Sequence, residues 1–164
     1  MLNALVLAAC NTTRPARPER PHEVAVTCAI CSALPRKHHA TAGDIRKQGN
    51  IEGLWQHCRS LWEPRGCAGA TLVTADGAID TQENPNRQED LTASLHFAEL
   101  ISALGLLAVG GSVFLKAFTI FEHSTLCMLY ICGAYFDRVR GILQVPCTFS
   151  RLSPHTCASY QMHL

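Results

Sequence analysis

Two stretches decide how this chain of 164 residues is built: ATLVTADG at Ala70–Gly77 and GGSVFLKAF at Gly110–Phe118. The first is a short apolar, β-branched run, the form of a strand buried on both faces, and it ends abruptly in Asp76-Gly77. A polar loop with Asn84-Pro85 follows, and Asn86-x-x-Glu89 fits a helix capping box. The helix so opened runs to about Leu107, with Ala93, Phe97, Leu100, Ile101 and Leu104 along one apolar face. Gly110-Gly111 breaks it, and Ser112–Phe118 reads as the next strand. Strand, crossover helix and strand make a right-handed βαβ unit with parallel strands.

Working outward, Ile51–Trp62 places Ile51, Leu54, Trp55, Cys58, Leu61 and Trp62 at helical spacing, and Pro64 and Gly66 stop it. A further helix from about Glu122 to Tyr135 covers the sheet, and a weak strand lies near Val139–Val145. Residues 11–40 carry four of the eight prolines and read as an extended linker, with a short strand at Val24–Ile30. The opening MLNALVLAAC imitates a lipoprotein cleavage box but lacks a positive n-region, and reads as a piece of buried helix or an arbitrary start. The expected organisation is a basic, Pro-rich, irregular segment at 1–40, an α/β unit at 41–137 and a divergent tail at 138–164.

Apolar residues make up 48% of the chain and charged residues 16%, with a net charge of +1. This excludes disorder throughout, and the overall charge does not mark a nucleic-acid binder. The longest uncharged apolar run, Leu100–Leu115, is too short and too broken by glycine for a membrane span, so no membrane partner is expected. Nine cysteines at irregular spacing do not form a secreted disulfide framework. Cys28-x-x-Cys31 with His38 and His39 has zinc-ligand chemistry but no repeated pair, and no metal is expected.

In an open parallel sheet, ligands bind outside the carboxyl ends of the strands. Asp76 stands at one such end. Lys116 is a lone lysine among Val113, Phe114, Leu115, Ala117 and Phe118, where burial without a partner is costly. The resolution is that Lys116 enters the same crevice as Asp76. There the two act either as a charge-coupled functional pair or as a salt bridge holding two strands.

Together, LVTADG at Leu72–Gly77, Asp80, Gln88-Glu89 and GGSVFLKAFTIFEH at Gly110–His123 resemble the FtsJ-like 2′-O-ribose RNA methyltransferases. Within them they resemble the metazoan cap-specific mRNA branch acting on the second transcribed nucleotide. TAGDI at Thr41–Ile45 is similar to that branch's lead-in, and the resemblance covers about residues 41–130. It implies a partial Rossmann-like methyltransferase fold, S-adenosyl-L-methionine as cofactor and capped mRNA as partner, with no DNA. The family's catalytic set is Lys-Asp-Lys, commonly joined by a Glu. Asp76 matches the aspartate and Lys116 the second lysine, which makes Lys116 the proton acceptor and Asp76 its partner and cofactor contact. The family's Gly-rich cofactor loop, its ribose-holding acid, its first lysine and its C-terminal glutamate have no match; Lys37 lacks the context, and Ser150-Arg151 is only faintly similar to the last motif. The expectation is the C-terminal half of such a domain over 41–137, weakly active or inactive. The alternative is a non-catalytic RNA- or protein-binding fragment or a mispredicted gene product. Residence in nucleus or cytoplasm follows only from the substrate, and oligomeric state stays open.

Overall fold

The computed structural model describes residues 4–10 and 44–144. In chain order the elements are β1 (Ala4–Cys10), α1 (Gln48–Trp62), β2 (Ala70–Ala75), α2 (Gln88–Leu106), β3 (Leu107–Ala117), α3 (His123–Tyr135) and β4 (Arg138–Gln144). The four strands form one sheet in the order β2-β3-β1-β4. β2 and β3 are parallel, with Val73 opposite Val113 and Ala75 opposite Leu115, and α2 is the crossover between them. This is the α/β arrangement expected around Asp76.

β1 departs from expectation. Residues 4–10 form a strand, not a helix fragment, and pair antiparallel with both β3 and β4. β4 therefore runs in the same direction as β2 and β3, with one opposed strand inserted between it and β3. An uninterrupted apolar run suits such an interior position as well as it suits a helix, so periodicity alone did not separate the two. The Val24–Ile30 strand and the Cys28/Cys31/His38/His39 set lie outside the described residues. Among the described residues no helix is long and apolar enough to cross a membrane.

The sheet is buried chiefly on one face, where Leu7, Ala9, Val73, Ala75, Val113 and Leu115 meet the core and α2 packs on β2 and β3. The opposite face is more open. Thr74 and Lys116 are half-buried there, and Phe114 is exposed. β2 is thus not buried on both faces, and Lys116 reaches partial exposure through the ordinary alternation of a strand.

The helix patterns are met with changes of face. On α1, Leu54, Cys58 and Trp62 are buried, Ile51 and Trp55 are half-buried, and Leu61 is exposed. The indole N–H of Trp55 donates to the Ser102 carbonyl at 3.0 Å. A short 3-10 turn at Glu63–Arg65 and Gly66 at φ +66° end this segment, as Pro64 and Gly66 require. On α2 the buried side includes Leu95, Leu100 and Ala103 but also Thr92, His96, Glu99 and Ser102, while Phe97 is exposed. Hydrophobic spacing mis-set this face because the buried hydroxyls are satisfied locally: Thr92 donates to the Gln88 carbonyl and Ser102 to the Ala98 carbonyl.

α2 passes directly into β3 at Leu107, so Gly110-Gly111 does not break the helix. It forms an irregularity inside the strand. Between the Ala70↔Leu107 and Leu72↔Ser112 pairs, β3 accommodates five steps against two on β2. Gly110 at φ +82° makes the left-handed step. At Gly111 a Cβ would come within 2.9 Å of the backbone oxygens of both Ala108 and Ala70. Gly133 in α3 has nothing within 4 Å of such a Cβ. Chemical denaturation is therefore expected to show Gly111→Ala destabilised by about 2–3 kcal/mol through overpacking and Gly133→Ala stabilised by roughly 0.5–1 kcal/mol through helix propensity. Equal effects of the two substitutions would contradict the bulge.

Candidate active site at the ends of the parallel strands

The parallel register places the two candidate residues side by side. Ala75, the last residue of β2, pairs with Leu115, so Asp76 and Lys116 each follow one member of that pair. Lys116 Nζ lies 2.8 Å from Asp76 Oδ1. The Asp76 side chain is two-thirds exposed, and Lys116 is more than one-third exposed. In so wet a setting the pair adds little stability. What it fixes is the placement of a cation and an acceptor at the rim where ligands of parallel sheets bind.

Two carboxylates on α2 support this rim: Glu99, which the sequence reading does not single out, and Glu89, to which it gives only a capping role. Glu99, 1% exposed, accepts the Gly77 backbone N–H at 2.6 Å. Burial pushes its carboxyl up to about 7; the Gly77 bond pulls the other way, and the charge of Asp76 adds to the rise. The signal available in the sequence was that Glu99, flanked by Ala98 and Leu100, is the lone charged residue between Phe97 and Leu115.

Glu89 is the second. The capping box expected of it does not form: Arg87 is the N-cap of α2, with no side-chain cap bond. The Glu89 carboxylate instead reaches across to the loop after Lys116. It accepts from the Thr119 hydroxyl and from the backbone N–H groups of Phe121, at 3.1 Å, and Glu122, at 2.9 Å. Glu122 is the N-cap of α3, so Glu89 satisfies the start of that helix from another element. Burial raises its carboxyl, but bonds from Thr119, Thr125, Glu122 and Phe121 outweigh this and hold it below the usual range. The clamp leaves Phe121 86% exposed beyond the strand end.

Nearby, His96 is buried and its ring lies 6.1 Å from that of Phe118. Burial lowers its pKa, against an opposing pull from the Glu89 charge. A cleft of about 310 Å³ between α2 and α3 is lined by His96, Phe97, Thr125 and Met128. It does not include Asp76 or Lys116. Among the described residues no group of three or more His, Cys, Asp or Glu is placed to hold a metal ion.

The lowered pKa of Glu89 fixes the sign of a pH effect. Its stabilisation is present above the unfolded carboxylate range and is lost as pH falls through the lower folded value. Glu89→Ala is expected to cost about 2–3 kcal/mol at pH 7, the scale of a carboxylate serving several donors. The gap to the unsubstituted chain should narrow below about pH 4.5, where this carboxyl protonates in the unfolded chain before it does in the folded one. Urea titrations at several pH values measure both; a penalty constant down to pH 3 would remove the clamp from the argument.

The profile of the FtsJ-like methyltransferase family matches residues 10–143. Over 97 residues the chain is 41% identical to the cap-specific mRNA (nucleoside-2′-O-)-methyltransferase 2 of Pongo abelii, covering 59% of this chain and 12% of that protein. Against the protein of the same description from Danio rerio it is 53% identical over 68 residues, 42% of this chain and 9% of that one. Against a probable methyltransferase, EP424R, of African swine fever virus it is 29% identical over 97 residues, 59% of this chain and 22% of that one. The chain spans about a tenth of the length of the animal relatives it matches.

Proposed function

The chain belongs to the FtsJ-like methyltransferase family, and from that premise we propose that it serves S-adenosylmethionine-dependent methylation of ribose 2′-hydroxyls in the cap region of mRNA, at the second transcribed nucleotide. The observation that carries this reading is the Lys116–Asp76 pair, 2.8 Å apart at the ends of adjacent parallel strands. The names of the animal relatives support the substrate class.

A ribose hydroxyl is a poor nucleophile at neutral pH, so its proton needs a positioned acceptor. Lys116 Nζ is the acceptor of that proton as the oxygen gains the methyl group. Asp76 then pairs with the ammonium that results. Before the step it fixes the lysine side chain over the crevice. S-adenosylmethionine, when bound, supplies an electrophilic methyl group carried on a cationic sulfur. The exposed Asp76 carboxylate, an acceptor-only group of opposite charge, fits that end of the cofactor. Most of the remaining rate comes from holding the hydroxyl in line with the methyl.

The test is transfer of labelled methyl from S-adenosylmethionine to capped RNA, read as labelled 2′-O-methylribose. Lys116→Ala is expected to lower the rate by roughly 100-fold or more, the usual weight of a positioned acid or base. Unchanged transfer would remove Lys116 from the mechanism. Capped RNA bound without any transfer would favour the non-catalytic reading, which the unmatched Gly-rich loop supports. For the same reason, calorimetry on the chain is expected to show cofactor binding weaker than micromolar. Micromolar affinity would show that other residues replace that loop.

A further inference from the structure

Behind the Asp76–Lys116 pair stands a buried acid that the mechanism above does not use. Glu99 Oε1 accepts the Gly77 N–H at 2.6 Å, one residue past Asp76. Its other oxygen, Oε2, is buried with no hydrogen-bond partner among the described residues. The fit is close. A Cβ at Gly77 would lie 2.6 Å from Glu99 Oε1 and 3.1 Å from Leu95 Cδ2, so the turn must carry glycine for the carboxyl to rise beneath it. An acid kept at 1% exposure with one oxygen unserved is costly as a mere turn brace, because a neutral acceptor would brace the turn without a buried charge.

We propose that Glu99 is a positioning residue for the Asp76–Lys116 pair, fixing the Asp76-Gly77 turn through the Gly77 amide and coupling its own ionisation to the charge balance of the pair. The inference rests on the functional reading above only for its kinetic consequence. The charged group facing Glu99 from the end of β2 is Asp76, with Lys116 of β3 paired to it. On its own helix the titratable neighbour one turn back is the buried His96. The Glu99 carboxyl titrates at about 7, within the range where the reaction would run. Protonated, it leaves a single negative charge beside Lys116. Ionised, it adds a second behind Asp76 and so changes the charge balance in which the pair works.

The test starts with nuclear magnetic resonance on the whole chain, which needs no activity. In the unsubstituted protein the Gly77 amide and the Asp76 carboxyl carbon should move together with a midpoint near 7. Glu99→Gln keeps an acceptor for the Gly77 N–H and removes the titration, so both movements should vanish while the amide stays at low field. Glu99→Ala should lose the low-field position as well. An Asp76 signal that shows no inflection at the Gly77 midpoint, or an inflection that survives Glu99→Gln, would overturn the proposal.

In the methyl-transfer assay, Glu99→Gln should remove from the rate profile the limb near pH 7 that Glu99 contributes, since the group that titrates there is gone. Glu99→Ala should lower kcat roughly 10- to 100-fold, the scale of a displaced reacting group, with less change in KM. A brace without coupling would leave the pH limb of Glu99→Gln in place. If the resonance coupling holds but Lys116→Ala transfers methyl normally, the functional reading fails and Glu99's link to Asp76 stands. If Lys116→Ala is inactive and the coupling is absent, the Glu99 proposal fails alone.

Discussion

The in-register parallel pairing of β2 with β3 is the constraint on which the rest depends. A parallel pair needs a crossover, and α2 supplies it while covering the buried face of both strands. Because Ala75 faces Leu115, the residues that follow emerge together, and an aspartate and a lysine separated by forty positions in the chain meet at 2.8 Å. The three-residue excess of β3 at Gly110-Gly111 is absorbed at the opposite end of the pairing. A slip of one residue would send Lys116 to the buried face and Leu115 to the open one.

The same helix that makes the crossover also organises what surrounds the pair. Its first turn sends Glu89 to the loop after Lys116, and its middle sends Glu99 to the turn after Asp76. Both carboxylates serve backbone N–H groups outside their own helix. Burial raises both carboxyls, and they differ in the sign of the net shift. Four donors hold Glu89 ionised, whereas one donor leaves Glu99 near the midpoint between acid and anion. Thus one element ties together two loops that would otherwise be independent of each other.

Asp76 and Lys116 were legible because each violates its local pattern: a charge ends an apolar strand, and a cation interrupts another. The strand–helix–strand order was legible for the same reason, since the segments differ in length and composition. Glu89 and Glu99 were not, because an acid on a helix usually faces water, and only tertiary placement shows that these do not. Glu89 in particular matched a local capping pattern that the fold overrides in favour of a distant helix end. β1 was hidden differently. Its partners lie more than a hundred positions away, and ALVLAAC is apolar on both faces, so it carries no polar alternation to read.

That inserted strand shapes how the molecule assembles. The segment from Gln48 to Tyr135 can collapse around α2, since α1, β2, β3 and α3 all pack against it. β4 has no strand to pair with until Ala4–Cys10 has crossed back to β3 and offered its second edge. Closing so long a loop brings its entropic cost before its ladder bonds form. β4 therefore docks as a late event conditional on β1, and a nascent intermediate with one edge of β3 still bare would be the species most prone to pair with a neighbouring molecule.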